Sequence, residues 1–197
     1  LDRDNANDLT SILIWGAQLE ESPIATSYIP TTTGAVTRLK DRIFFTNASS
    51  VIGQSEGTLF VEVDWRVTAG LNQFIFIASD GTADNRIQIY NDNSASELRM
   101  FAEANNDIKT AQGESSTSYT GIQKIAFAYA ENDFELYRNG SSISTDTSGS
   151  LSSLATLTDV DFGQSVFATA QANMWIRDAR IYNTRLTDTE CQDLTTL

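Results

Sequence analysis

Histidine is absent from the 197 residues, and with it go the usual general base near neutral pH, the Ser-His-Asp and Cys-His arrangements, and the commonest zinc and iron ligand. The lone cysteine, Cys191, cannot form an intrachain disulfide, so packing alone must hold the fold, and a small apolar filler is the expected role. Positive charge is scarce as well: 13 basic side chains stand against 26 acidic ones, a formal net charge of −13. Such a chain repels phosphate backbones and anionic headgroups, and Arg38, Lys40 and Arg42, interrupted by Asp41, are too sparse to track a polyanion. Nucleic acid and membrane surfaces are therefore unpromising partners. No apolar run approaches the roughly 20 residues that span a bilayer, and LDRDNAND is no signal peptide. A first residue of Leu rather than Met fits a fragment of a longer or processed polypeptide.

What is present points to strands. Short or alternating apolar segments recur at 10–19, 42–46, 58–67, 72–79, 86–91, 97–103, 119–129, 133–138, 157–162 and 173–183. Turn residues such as Asp80-Gly81, Asn105-Asn106, Asn132-Asp133 and Asn139-Gly140 separate them, which predicts an all-β, antiparallel sandwich. One short helix is expected at the end, where Thr187 precedes Glu190 by three residues in a capping-box pattern and Leu194 and Leu197 share a face. Both prolines, Pro23 and Pro30, fall in 16–41, which reads as an extended arm packed on a single domain spanning 1–197.

Phe134-Glu-Leu-Tyr-Arg-Asn-Gly140 and Ala179-Arg-Ile-Tyr-Asn-Thr-Arg-Leu-Thr-Asp-Thr-Glu190 resemble the strand-and-turn and the closing strand and helix of concanavalin A-like, laminin-G-like jelly rolls. Ile14-Trp-Gly-Ala-Gln-Leu-Glu20, Ala25-Thr-Ser-Tyr-Ile-Pro-Thr-Thr-Thr33, Val36-Thr-Arg38 and Asp41 resemble a segment that recurs in bacteriophage tail and other virion proteins. The second resemblance implies a virion receptor-binding or carbohydrate-binding module, extracellular when acting. Host-surface polysaccharide and other virion subunits, in a homotrimer or otherwise, would be its partners. Trp15, Tyr28 and Ile29 would lock the arm to the sandwich.

Strand parity supplies candidate binding residues. Leu59, Val61, Val63 and Trp65 face one way and Phe60, Glu62, Asp64 and Arg66 the other; Ile87 and Ile89 oppose Arg86, Gln88 and Tyr90; Leu98, Met100 and Ala102 oppose Glu97, Arg99 and Phe101. Were these strands neighbours, Glu62, Asp64, Arg86, Gln88, Tyr90, Arg99 and Phe101 would form a wet face with flat rings. A pyranose offers an apolar C–H face to an aromatic and a rim of hydroxyls to carboxylate, amide and guanidinium groups. The guanidinium groups would also pair with a uronate or sulfate, which points to an acidic polysaccharide despite the negative total charge. The competing reading is an ordinary solvated face carrying cross-strand Arg–Glu pairs.

Hydrolysis is not expected. Glu62-Val-Asp64 resembles the spaced carboxylates of glucanases with this fold, but Arg66 stands where a further carboxylate is required. Glu97-Leu-Arg99 and Gln88-Ile-Tyr90 echo polysaccharide-lyase motifs in reversed order and without a histidine base. No cofactor is required by this reading. Asp80, Asp84 and Asn85 supply hard oxygen ligands that could hold calcium, although Asp and Asn are also ordinary turn residues.

Overall fold

The computed structural model describes residues 16–19, 27–31, 33–37, 41–65, 72–116 and 119–197. Eleven strands appear among them: β1 (Ile43–Phe45), β2 (Gly57–Trp65), β3 (Gln73–Ser79), β4 (Arg86–Asp92), β5 (Glu97–Ala104), β6 (Asp107–Ser115), β7 (Gly121–Ala130), β8 (Asp133–Arg138), β9 (Ser141–Asp146), β10 (Asp159–Phe162) and β11 (Met174–Tyr182), followed by helix α1 (Asp188–Thr195). They form two antiparallel sheets, a six-stranded one ordered β1-β10-β3-β4-β5-β6 (sheet A) and a five-stranded one ordered β11-β2-β7-β8-β9 (sheet B). The all-β antiparallel sandwich is what the alternating pattern predicts, its jelly-roll form is what the resemblance implies, and the C-terminal helix is the one the capping-box pattern predicts.

The core follows from parity. Leu59, Val61, Val63 and Trp65 of sheet B meet Ile87, Ile89, Leu98 and Met100 of sheet A in one buried cluster. Full burial of such side chains is worth about 1.5–3 kcal/mol each, which lets the fold do without disulfides. Turns close the strands where expected: Asn105-Asn106 and Asn139-Gly140 both place two successive residues at positive φ, the backbone that a tight hairpin between twisted strands requires.

Sheet B has a second buried layer on its outer side. Cys191 from α1 packs with Phe60, Ala126, Ala128 and Tyr137, joined at the margin by Tyr182, Leu186 and Leu194. The thiol is fully buried, and burial pushes its pKa up to about 12, in keeping with a filler. The helix starts at the predicted box: Glu190 N donates to Thr187 Oγ1 (3.3 Å) and Thr187 N donates to Glu190 Oε2 (2.9 Å). Leu197, expected beside Leu194, lies past the helix and is exposed.

Two strands were not expected, β6 and β9. Each is the edge of its sheet, and their DIKTAQGES and SSISTD sequences lack an apolar alternation because an edge strand needs little burial. The strand expected over 10–19 falls partly outside the described residues, and 16–19 carry no strand.

The chain divides into two compact units, Leu1–Asp41 and Arg42–Leu197. Within the first unit Gln18 bridges two extended limbs, its Oε1 accepting from Ile29 N (2.7 Å) and its Nε2 donating to Ser27 O (3.4 Å). Gly16 sits at φ +70° against the Tyr28 ring, and Trp15 lies outside the described residues.

Candidate functional site

The seven residues chosen by parity do not share one surface. Arg86, Gln88 and Tyr90 on β4 and Arg99 and Phe101 on β5 are neighbours on the outer face of sheet A, with Gln88 opposite Phe101 and Tyr90 opposite Arg99. Glu62 and Asp64 are on β2, whose partners are β11 and β7, so they point outward from sheet B, the opposite side of the sandwich. The expected common hollow is corrected accordingly: alternation assigns a side chain to the inside or outside of its own sheet and is silent on which sheet that is.

The sheet A group is also less open than a stacking platform. Tyr90 and Phe101 are 8% and 6% exposed. Phe74 stacks on Tyr90 at 5.7 Å between ring centres, and Tyr90 meets Phe101 edge-on at 6.0 Å, giving a ladder across β3, β4 and β5. The guanidinium of Arg86 lies 4.8 Å over the Phe101 ring, 2.8 Å from Glu103, and donates to the Ala83 carbonyl. Arg99 is clamped between Asp92 (3.0 Å) and Glu97 (2.8 Å). Its stem crosses Gly113 of β6, where a Cβ would stand 2.7 Å from Arg99 Cγ. Burial works against the Arg99 charge, but hydrogen bonds to Glu97 and Tyr90 outweigh it and hold the pKa above the usual arginine value. Burial raises the Tyr90 phenol as well. Arg86–Glu103 and Arg99–Asp92 are cross-strand ion pairs between β4 and β5, and Arg99–Glu97 is a pair within β5.

One part of this face is concave. The segment between β10 and β11 folds back over it, and a hollow of about 220 Å³ opens between Phe74, Arg86 and Gln88 on the strands and Ser165, Phe167 and Thr169 on the segment. The wall is pinned. Ser165 N donates to Ala170 O (2.9 Å), Ser165 Oγ accepts from Thr169 N (3.0 Å), and Gln164 Nε2 donates to buried Asp161 (2.6 Å) at the wall's base. Phe167 is 64% exposed at the lip. Gln88 is 2% exposed, and its Oε1 has no hydrogen-bond partner. Ser165, Phe167 and Thr169 escaped the sequence reading because 163–172 shows neither alternation nor a motif; only the fold brings it over the strands.

On sheet B, Asp64 is buried beside Arg177 (3.5 Å), with exposed Trp175 and Ile122 as its cross-strand neighbours. Glu62 is half-buried opposite Lys124 and Asp178. Arg66 is outside the described residues.

The Asp80–Asn85 loop directs its oxygens inward. Asp80 Oδ1 accepts from Thr82 N (2.9 Å) and Oγ1 (2.6 Å), and its Oδ2 accepts from Asn85 Nδ2 (2.9 Å). Asn85 Oδ1 accepts from Asn105 N (2.9 Å) and Ala155 N (3.1 Å), tying three loops together. Burial opposes the Asp80 charge, yet the Thr82 and Asn85 hydrogen bonds prevail and lower its pKa. Asp84 is exposed, and its carbonyl accepts from Asn106 N (2.9 Å). Among the described residues no group of three or more His, Cys, Asp or Glu gathers in a metal-holding cluster.

With this geometry in hand, comparison with known proteins is informative. The profile of the "Concanavalin A-like lectin/glucanases superfamily" matches residues 40–192. The chain belongs to that superfamily. Its members' sandwich is also what solved structures share with it. The Ruminococcus gnavus IT-sialidase CBM40 is 17% identical with a TM-score of 0.60, over 79% of this chain and 97% of that one. The leech intramolecular trans-sialidase is 14% identical with a TM-score of 0.60, over 79% and 27%. A botulinum neurotoxin type C structure, of a protein that interacts with two ganglioside molecules, is 16% identical with a TM-score of 0.62, over 78% and 39%. This chain thus spans well under half of the trans-sialidase and toxin chains. At such identities the likeness is one of fold. No curated protein matches.

Proposed function

We propose that this superfamily member is a non-catalytic glycan-recognition module that binds through the hollow on the outer face of sheet A. The observation that carries the reading is the hollow's chemistry. An exposed phenylalanine, two hydroxyl side chains, a guanidinium and the buried Gln88 amide border it on a rigid wall and sheet, a combination suited to one sugar ring. The CBM40 module with the same sandwich has been solved bound to α2,3-sialyllactose, which supports a carbohydrate as the class of ligand. The virion resemblance of the amino-terminal stretch supports a tail or surface appendage as the setting and host-surface polysaccharide as the target.

The test is a glycan array probed with the purified chain and with Phe167→Ala and Thr169→Ala. Retention on a defined subset that both substitutions reduce supports the reading; arrays blank for the unsubstituted chain refute it.

A second reading has its own observation. Ile43, Phe44 and Phe45 of edge strand β1 are each about half exposed, which suits packing against a neighbouring subunit in a structural or assembly role. A stable trimer by light scattering that Phe44→Lys dissolves would favour it.

A further inference from the structure

We infer that Asn139 is a site of spontaneous deamidation that helix α1 holds latent: the reaction opens when the end of the helix leaves the β8–β9 turn, and it weakens that turn once it has occurred. The residue pair carries the chemistry. Asn139-Gly140 is the one Asn-Gly step in the sequence, and glycine leaves its backbone nitrogen unshielded by a Cβ. In the reaction that nitrogen attacks Asn139 Cγ and closes a cyclic imide. Its proton passes through solvent to the departing amide nitrogen, which leaves as ammonia. Water then opens the imide at either carbonyl, giving aspartate or isoaspartate at 139. Water is the sole co-reactant, and nothing is oxidised or reduced.

The fold engages both reacting groups elsewhere. Gly140 N donates to Thr195 Oγ1 (3.1 Å), and Thr195, the last residue of α1, is fully buried with its hydroxyl donating in turn to Cys191 O (2.8 Å). The Asn139 amide is used at both ends: Oδ1 accepts from Lys124 N (2.9 Å), and Nδ2 donates to Gln123 Oε1 (2.9 Å). Asn139 N also donates to Lys124 O (3.0 Å), so this residue extends the β7–β8 ladder with its backbone and side chain together. For Cγ to take up the Gly140 nitrogen, the amide must leave Lys124 and Gln123 and the nitrogen must leave Thr195. Each of these bonds adds to the barrier in the folded chain and is missing from the unfolded one.

The guard is the helix terminus itself. A Cβ on Gly140 would stand 3.1 Å from Thr196 Oγ1, and Lys124 Nζ donates to Thr196 O (2.7 Å), so the turn and the end of the helix are in direct contact. At eight residues α1 is too short to persist without its packing on sheet B. Its departure removes the Thr195 acceptor. The product is a worse fit, because a carboxylate at 139 sets an acceptor against Gln123 Oε1 where a donor stood. A flip of the Gln123 amide would forfeit its bonds with Arg138 Nη1 (3.1 Å) and Thr120 O (2.9 Å).

The experiment incubates the whole chain at neutral pH, native and unfolded in guanidinium chloride, and follows deamidation at each asparagine by peptide mass mapping. Asn93, which precedes Ser94 in the β4–β5 turn of the other sheet, serves as the reporter of global unfolding. Asn139 should be the fastest-modified asparagine in the unfolded chain, at least about tenfold faster than in the native one. Thr195→Val keeps the side-chain shape and removes the acceptor; it should speed native modification of Asn139 by about fivefold or more and leave Asn93 unchanged. Arg185→Leu, which frees α1 from Asp133 and Glu135 while leaving every atom of the turn in place, should do the same, so a Thr195→Val chain that fails to fold does not end the test. Asn139→Asp should lower Tm by a few degrees. Native modification as fast as unfolded, no acceleration in the variants that fold, equal acceleration at Asn93, or a Tm unmoved by Asn139→Asp each overturns the inference.

Discussion

Arg185 is the pin that holds helix α1 to sheet B, and its removal should be costly. The side chain is 13% exposed and reaches three carboxylates: Asp133 at 2.8 Å, Asp188 at 3.2 Å and Glu135 at 3.3 Å. It also donates to the Leu186 carbonyl at 3.0 Å, and Tyr137 OH donates to Asp188 at 2.8 Å, completing a network over the cluster that buries Cys191. Replacing Arg185 with Leu leaves the three acids facing one another. Breaking a buried pair from one side costs about 3–5 kcal/mol. Asp133 and Asp188, at 50% and 64% side-chain exposure, can rehydrate, so the stranded group is Glu135 at 14%. The lower end, about 3 kcal/mol, is therefore expected, which in a chain of this size lowers Tm by roughly 6–12 °C.

Thermal unfolding at neutral pH measures the loss, and two controls identify its cause. Adding Glu135→Gln to the Arg185→Leu variant removes the stranded charge and should recover about half the deficit. The Cys191 thiol, buried and with its pKa pushed up to about 12, should resist a thiol reagent in the native protein and react several times faster in Arg185→Leu as the helix loosens. Asp188 adds a pH signature. The Tyr137 hydrogen bond, then Arg185, lowers its folded pKa below 3.8 despite slight burial. Its contribution is complete above the unfolded value and is lost as pH falls through the folded one, so the gap between wild type and variant should narrow below about pH 4. A Tm drop under about 2 °C, or a gap indifferent to both Glu135→Gln and acid, would show that the ion pairs do not hold the helix.

Glu103→Gln uncouples Arg86 from its carboxylate at the hollow. It should lower Tm by a few degrees and raise retention on dextran sulfate at low salt, and failure to gain any anionic binding would mean that Arg86 does not face the ligand. Calcium, for which Asp80, Asp84 and Asn85 are the sequence candidates, should move Tm by less than about 1 °C between excess chelator and millimolar ion, because Asp80 and Asn85 already spend their oxygens on the loop. A rise of about 5 °C would show that the loop rearranges to take metal.

Much of the sandwich was legible because burial leaves a two-residue period. From Gly57 to Trp65 alternate side chains are core, and the same holds on β4 and β5. The helix was legible from Thr187 and Glu190 because a capping box is a local device. The edge strands β6 and β9 were not, since a strand that buries one margin can be nearly all polar. The site was legible only in halves. Parity placed Arg86, Gln88, Tyr90, Arg99 and Phe101 on one outer face, but Glu62 and Asp64 look the same in the sequence and belong to the other sheet, because sheet membership depends on long-range pairing. The wall bearing Phe167 has no sequence signature at all.

The charged groups that made this face attractive in the sequence are those least available in the structure. Arg99 with Asp92 and Glu97, and Arg86 with Glu103, satisfy one another and hold Tyr90 and Phe101 between them; their chemistry is spent on making the sheet face rigid. A ligand gains most from groups that are open rather than paired, and at the hollow that is above all the Phe167 ring at its lip. Rigidity and openness divide between different residues: the paired arginines limit the ordering that binding would otherwise cost, and the β10–β11 wall with Phe167 supplies the contacts. Substitutions in the first set should therefore register mainly in Tm, and substitutions in the second mainly in affinity.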